Sequence, residues 1–222
     1  MSRRLWVLAA CALVVLLTAW YAGSRFAPSE PGPSPGTVRL GPESGEDVAA
    51  YLARAAADLP PPGESAYALV QFADELGADA ALAAVDGTTP AAVAFRVPLE
   101  RVQTALRFED LAGPGPAALG TARERAAGAA ESDAGRLTGR PAAIAAAEAR
   151  ALADPGGACV VALLVRGDRT ALDAVAARPQ VRAVHAAPPD AVPVELALSP
   201  LLPDQTTTAD PLPDDAPVPP PP

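Results

Sequence analysis

Two stretches of the chain share one order of elements, a strand, a helix and a second strand, and this constrains the fold most. In the first stretch, residues 66–72 (AYALVQF) and 92–97 (AVAFRV) have the composition of strands around a short helical segment. In the second, residues 159–165 (CVVALLV) and 181–185 (VRAVH) flank a predicted helix over residues 170–177. Two such units in one sheet form the split βαβ, or ferredoxin-like, arrangement. The predicted fold class is therefore α+β, with a duplicated βαβ core.

A helical insertion is predicted between the two units, at about residues 112–157. Residues 117–153 are rich in Ala, Arg and Glu, and the glycine and proline around residues 139–141 divide them into two helices. Residues 100–111 fit either a helix or a strand that continues a hairpin. The solvated face of the insertion is expected to carry Arg123, Glu124, Arg125, Glu131 and Arg136.

An uncharged and almost wholly apolar run covers residues 5–23. A helix of this length, at about 1.5 Å per residue, matches the ~30 Å hydrocarbon core of a bilayer. Arg3 and Arg4 precede the run, and Trp6 and Trp20 lie near its ends, as in a spanning helix with a cytoplasmic N-terminus. The sequence thus predicts that residues 5–23 bind the lipid bilayer as a single-pass signal anchor at the cell membrane, with the C-terminal domain extracytoplasmic.

Two alternatives to the anchor stay open at this point. Cleavage before Ser24, after a small-residue pair, would release a secreted protein. Residues 8–11 (LAAC) resemble a lipoprotein signal, although the apolar run continues well past Cys11.

The predicted organisation has four parts. Residues 1–25 form a cytoplasmic stub and the transmembrane signal anchor, and residues 26–45 form a linker rich in Pro, Gly and Ser. Residues 46–187 form the extracytoplasmic α+β domain, and residues 188–222 form an acidic, Pro-rich, disordered tail. Within that tail the apolar residues 194–202 are expected to dock on the domain or to add an edge strand.

A short amphipathic helix is predicted at the start of the domain. Ser44 followed by Asp47 resembles a capping box, and Val48, Tyr51 and other apolar residues follow at helical spacing. Prolines from Pro60 onward end the helix. This helix packs on its own domain or binds a partner, and the spacing does not distinguish these two roles.

Composition excludes some classes of partner. The chain of 222 residues has a net charge of −9, and no acidic residue precedes Glu30. All 17 basic residues are Arg, which indicates a GC-rich and, we infer, actinobacterial genome. Without a basic stripe, the domain lacks the electrostatic footprint of a nucleic-acid-binding protein, so no nucleic-acid partner is predicted.

No pattern in the sequence forms a catalytic or metal-binding constellation. His185 is the single histidine, and phosphate-loop, nucleophile-elbow and zinc motifs are absent. Cys11 and Cys159 lie in separate parts of the chain and are not expected to pair. No catalytic, cofactor-binding or metal-binding residue is assigned, and the sequence predicts a non-enzymatic protein without a cofactor.

A helix that ends in AVAARP (residues 174–179) and is followed by VRAV (residues 181–184) carries a local resemblance. Residues 160–188, which contain both motifs, resemble part of the inhibitor-type propeptide of subtilisin-like proteases. That resemblance implies a ferredoxin-like fold and an inhibitor whose residues 186–192 enter the protease active site. The whole layout also resembles actinobacterial single-pass membrane proteins without a known activity.

The leading functional prediction is a membrane-anchored binding or scaffold module of the cell envelope. It would bind an envelope protein or another envelope component through an exposed face or edge of its sheet. The alternatives are a protease-regulating module of the propeptide type, and an enzyme with a pocket near Cys159 or His185. The oligomeric state remains open.

Overall fold

Seven strands and five α-helices lie within residues 37–219, the part of the chain that the computed structural model describes. The strands are β1 (Val38–Leu40), β2 (Ser65–Leu76), β3 (Thr89–Phe95), β4 (Arg107–Asp110), β5 (Val160–Asp168), β6 (Val181–Ala186) and β7 (Leu196–Leu198). The helices are α1 (Val48–Ala57), α2 (Ala78–Ala83), α3 (Pro116–Arg136), α4 (Gly139–Ala153) and α5 (Arg169–Ala176), with a 3₁₀ turn at Pro193–Glu195.

Five strands form one antiparallel sheet in the order β4-β3-β5-β2-β6. The units β2-α2-β3 and β5-α5-β6 interleave in this sheet, because β5 lies between β2 and β3 while β2 lies between β5 and β6. This is the strand order of a split βαβ arrangement. The strands and helices predicted for the two units are confirmed, and β4 extends the sheet beyond β3.

Helices α2, α3 and α5 cover one face of the sheet, called here the helix-side face. Strand β2 alternates between the faces: Val70 and Phe72 point to the helices, whereas Leu69 and Gln71 point to the opposite side. The helices α2 and α5 lie on the same face, as right-handed crossovers require. Their buried contributions to this core are Ala81, Leu172 and Val175.

The opposite face, called here the second face, is covered by short elements from both ends of the described chain. Strand β1 pairs in parallel with β7, with Val38 opposite Leu196, and Leu40 packs on the sheet. Helix α1 contributes Tyr51, which packs with Leu201 in a further cluster. The exposed sheet face expected for a binding module is therefore largely occupied by the protein itself.

Residues 188–219 follow a defined path over the domain, although their composition predicted a disordered tail. Leu201 is completely buried, and the Ala209 amide donates to the Glu46 carbonyl at 2.9 Å. The Val48 amide at the start of α1 donates to the Thr207 carbonyl at 2.9 Å. Isolated anchors of this kind leave no periodic pattern in the sequence. The predicted docking of residues 194–202 is confirmed, because β7 lies within them.

Strand β4 and helices α3 and α4 show the structure of the insertion and of the ambiguous segment before it. Strand β4 pairs with β3, so residues 107–110 take the hairpin alternative rather than the helical one. The two predicted helices are present, but Arg123 does not lie on a solvated face. Its buried guanidinium donates to the carbonyls of Leu152 and Gly157, both at 2.9 Å. It thereby satisfies acceptors at the end of α4 that the helix itself leaves unpaired.

The predicted fold class has to be corrected, because the described residues form an α+β domain in which no transmembrane helix is found. Across residues 37–219, no helix is both long and apolar enough to cross a membrane. The longest, α3, has 21 residues but carries several charged side chains, each of which would cost about 2.5–3.5 kcal/mol in hydrocarbon. The transmembrane and single-pass prediction is corrected accordingly. Residues 5–23, on which it rested, lie outside the described residues, as do Cys11 and the cleavage point at Ser24.

Candidate functional site

The two residues considered for catalysis, Cys159 and His185, lie far apart. His185 lies in β6 and Cys159 directly precedes β5, and these two strands flank β2 on opposite sides. Along β2, His185 is opposite Leu69, whereas Val160, the neighbour of Cys159, is opposite Leu76. Seven positions along a strand correspond to roughly 23 Å. Cys159 also belongs to the helix-side core, whereas His185 contacts Tyr51 on the second face. The structure therefore forms no nucleophile–base pair from them.

Cys159 behaves as a small apolar residue. Burial raises the pKa of its thiol, and the nearby Arg123 guanidinium only partly opposes this effect. A neutral buried thiol is a poor nucleophile, because the thiolate is the reactive form.

His185 is 4% exposed, and hydrogen bonding fixes the role of its ring. The Gly41 amide donates to Nδ1 at 2.9 Å, so Nδ1 is an acceptor and the proton resides on Nε2. Asp58 Oδ2 lies 3.6 Å from Nε2. Burial, followed by the positive charge of Arg54, holds the pKa of His185 below its ordinary value.

Tyr51 and Gln71 continue this buried cluster. Gln71 Nε2 donates to the Tyr51 hydroxyl at 2.5 Å, and Gln71 Oε1 accepts from the Leu201 amide at 2.7 Å. Burial raises the pKa of Tyr51 to about 12. The cluster joins α1, β2, β6 and the segment at Leu201, and its groups are engaged with one another, so its geometry is that of a structural cross-link.

Metal chemistry finds no site in the described part of the chain. Within residues 37–219, no group of three or more His, Cys, Asp or Glu side chains is placed to hold a metal ion.

An apolar groove opens beside β4, where the covering of the second face stops short. Ala92 and Leu164 of the sheet form its floor, while Phe108 of β4 and Leu196 and Leu198 of β7 line its sides. Its volume is about 560 Å³. This groove, called here the β4 groove, leaves part of the second face open to a partner.

Exposed apolar side chains concentrate around this groove. The large hydrophobic residues that are exposed within residues 37–219 number five, and only Leu137 lies away from β4 and the segment before β7. The other four are Leu106, Phe108, Val192 and Val194, with Phe108 42% and Val194 53% exposed. Of these four residues Phe108 lines the groove, as does Pro193 between Val192 and Val194, and exposed apolar residues that are grouped mark an interaction site more often than single ones do.

The outer edge of β4 also offers backbone hydrogen-bonding groups. The Leu111 amide donates to the Ala91 carbonyl at 2.8 Å, and the antiparallel pattern then directs the backbone of Glu109 toward β3 and that of Phe108 away from it. Arg125 donates to the Asp110 carbonyl at 2.6 Å. Among the described residues, nothing pairs with the outward N–H and C=O groups of Phe108.

A larger groove of about 700 Å³ lies between α3 and α4, but it has weaker features of a site. Alanine and glycine supply most of its lining, among them Ala127, Gly128 and Ala146. It has neither an exposed large hydrophobic residue nor an unpaired strand edge. The β4 groove is therefore the candidate functional site.

Comparisons with known proteins add no relative to this geometry. A scan against models of protein families gives no match, and searches of curated proteins and of solved structures also find none. Sequence reasoning missed Phe108 because residues 100–111 fitted two secondary structures. The available signal was one aromatic residue among charged ones in residues 107–110 (RFED), because aromatic residues favour strands.

Proposed function

We propose that this domain is a protein-binding module that takes an extended segment of a partner as an additional strand beside β4. The observation that carries the proposal is the coincidence of an unpaired strand edge with an apolar groove next to it. Strand addition uses such an edge for main-chain hydrogen bonds and uses neighbouring pockets for specificity. The proposal keeps the binding role predicted from the sequence and does not rely on a transmembrane anchor.

Phe108 defines the centre of the added strand. Its N–H and C=O groups would pair with one residue of the partner, whose side chain points to the same face as the Phe108 ring. A long apolar side chain at that position, such as Leu, Met or Phe, would extend over Phe108 toward Leu196 and Leu198. The free energy of binding would come mainly from this apolar contact, because an isolated backbone pairing contributes little.

The negative charge beside the β4 groove indicates which kind of partner segment would bind there. The Asp110 side chain is exposed and shares the face of Phe108, and the whole chain carries a net charge of −9. A segment with Arg or Lys next to its apolar residue would be attracted, whereas an acidic segment would be repelled. The proposed partner is therefore an extended basic and apolar segment of another protein.

The protease-inhibitor alternative gains no support from the segment that it requires. After β6, the Ala187 amide donates to the Tyr67 carbonyl at 2.8 Å, and Ala186, Ala187 and Ala191 are buried in the domain. A reactive segment has to be presented to the protease, but this one continues along the sheet. The enzymatic alternative gains no support either, because Cys159 lies in the helix-side core and the His185 ring accepts the Gly41 amide within a buried hydrogen-bonded cluster.

A peptide-display selection against the domain tests the proposed function. We expect enriched peptides to carry a large apolar residue with a basic neighbour, and to lose binding when Phe108 is replaced in Phe108→Asp. Leu137→Asp is the matched control, because Leu137 is similarly exposed at 46% but lies away from the groove. Equal binding by both variants, or no enrichment at all, would count against the proposal.

A backbone variant tests the strand addition itself. Phe108→Pro removes an N–H group that points away from β3, so the internal pairing of the sheet is retained. Binding of a selected peptide should be lost in this variant while the domain stays folded. Retained binding would mean that the groove acts without strand addition.

A further inference from the structure

The C-terminal residues 212–216 (LPDDA) lie on the domain in the manner of a bound peptide. Both of the acidic side chains and much of the backbone of this segment are contacted by three residues: Arg101 and Gln103 in the loop between β3 and β4, and Arg140 in the first turn of α4. These three residues are called here the tail cleft. Nothing in the β4 groove overlaps with them.

Arg101 forms two side-chain hydrogen bonds with Asp215. Its Nε donates to Asp215 Oδ1 at 2.7 Å, and a second guanidinium nitrogen donates to Oδ2, so the pair is bidentate. The Arg101 carbonyl accepts the amides of Asp215 and Ala216, both at 3.1 Å. Arg101 has a φ of 52°, the one positive φ at a non-glycine residue in the described part of the chain. Strained backbone of this kind collects at binding sites.

Gln103 and Arg140 bind the residues on either side of Asp215. The Gln103 amide donates to Asp214 Oδ1 at 3.1 Å, and its side-chain amide donates to the Leu212 carbonyl. Arg140 donates to Asp214 Oδ1 at 2.6 Å and to the Ala216 carbonyl at 2.7 Å. Carboxylate and main-chain groups are thus recognised together, which distinguishes the tail cleft from a chance surface ion pair.

The segment is held almost entirely by polar contacts that solvent reaches. The side chains of Arg101 and Asp215 are 54% and 61% exposed, and no residue of 211–219 is buried. Exposed ion pairs contribute little individually and weaken with salt. Departure of residues 212–216 would therefore cost no core packing, and it would leave Arg101 and Arg140 without their carboxylates.

We propose that the tail cleft is a recognition site for a short acidic segment, and that its occupant in trans is residues 212–216 of a second copy of this chain. The chain's own segment fills the cleft in cis, and exchange of the two segments links two copies. The second copy is the partner that the contacts favour, because this segment fits the cleft in both charge and backbone geometry. The proposal is independent of the β4 groove.

Two full-length variants separate the cleft from its ligand. Asp214→Asn with Asp215→Asn removes the acidic ligand and leaves the cleft, whereas Arg101→Ala with Arg140→Ala removes the cleft and leaves the ligand. Each double variant alone should sediment as a monomer, and an equimolar mixture should form a 1:1 complex that weakens as salt is raised. Phe108→Asp added to both partners should leave this complex unchanged. A mixture that sediments only as monomers would overturn the proposal.

A peptide supplies a second measurement that does not depend on association of the whole chains. A synthetic peptide of residues 209–219 should bind the Asp214→Asn, Asp215→Asn chain at least about tenfold more tightly than the unsubstituted chain, whose own segment competes at high effective concentration. The same peptide with Asn at both acidic positions should not bind. Equal affinity for the two chains, or equal binding of the Asn peptide, would contradict the assignment.

Discussion

The two faces of the sheet are built in different ways. On the helix-side face, regular elements pack large apolar residues such as Phe72, Phe95 and Leu163 against helices that are adjacent in the chain. On the second face, three-residue strands and a tail from distant parts of the chain are joined by buried polar groups such as Gln71 and His185. Apolar packing between regular elements holds the helix-side face together, whereas the second face combines a smaller apolar cluster with specific buried hydrogen bonds. We expect the second face to be the less stable part.

The largest expected loss of stability comes from a change in the helix-side core. Phe72→Ala removes a completely buried aromatic side chain and should lower the free energy of unfolding by about 3–5 kcal/mol. Chemical denaturation followed by circular dichroism measures the change. Leu201→Ala on the second face, also completely buried, should cost less, and an equal or larger loss would contradict the difference between the faces.

A substitution at Gly41 should disrupt the second face most directly. Its φ is 125°, and a Cβ atom there would lie 1.7 Å from the Ser199 carbonyl oxygen, so Gly41→Ala should separate β1 from β7 at a cost of about 3 kcal/mol. Hydrogen exchange should show lost protection in β1 and β7, with β2 and β5 still protected. Gly63→Ala is the control, because Gly63 has a φ of 87° but no atom within 4 Å of the added Cβ. Equal effects of the two changes would show that close approach to Ser199 is not the cause.

Gln71→Leu tests how much the polar cross-link on the second face contributes to stability. This change removes the donor to the Tyr51 hydroxyl and leaves the buried Leu201 amide without its acceptor, and it should cost about 2 kcal/mol. Tyr51→Phe removes only the hydroxyl and keeps the bond between Gln71 and Leu201, so it should cost about 1 kcal/mol. Thermal unfolding of both variants measures the order, and a reversed order would place the cross-link at Tyr51 instead.

The smallest expected effect is a pH dependence from His185. Its pKa in the folded protein lies below the ordinary value of 6.5, so the unfolded chain binds the proton more readily. The stability that this group contributes is therefore fully present above pH 6.5, and it is lost as the pH falls through 6.5 toward the folded pKa. The slope should not exceed about 1.4 kcal/mol per pH unit. The sequence has one histidine, so His185→Gln should abolish the slope between pH 7.5 and about 5.5, and an unchanged slope would assign it to another group.

Patterns in the sequence reached the helix-side face because its elements are local. The apolar run in β2 indicates a strand that is buried on both faces, and the helical spacing in α5 indicates which of its side chains are buried. Helix α1 was also within reach, although its N-cap is Asp47, which accepts from the Ala50 amide at 2.9 Å, rather than Ser44. Asp47 directly precedes the helix and accepts one of its free amides, while the Val48 amide donates to the Thr207 carbonyl. The sequence pattern therefore placed the cap at Ser44, too early in the chain.

The second face and the candidate site were beyond such patterns because they depend on contacts distant in sequence. Strands β1 and β7 have three residues each and lie in Pro-rich segments, so neither shows a period. Arg123 reads as a solvated helical residue until the end of α4 is placed beside it. The β4 groove exists because the covering from β7 stops before Phe108, and no local sequence encodes where a covering stops.

The parallel pairing of β1 with β7 has a consequence for biosynthesis. The pairing joins Val38 with Leu196, so the first described strand leaves the ribosome long before its partner exists. Residues 38–40 therefore have no partner strand while both βαβ units and the insertion are made. The sheet can assemble on its helices while the part of the second face that β7 later covers is still exposed. Contacts of such large sequence separation form slowly. A nascent chain paused before Leu196 would thus display Leu69, Val161 and Leu164 to chaperones, and the arrival of the last strand would withdraw them.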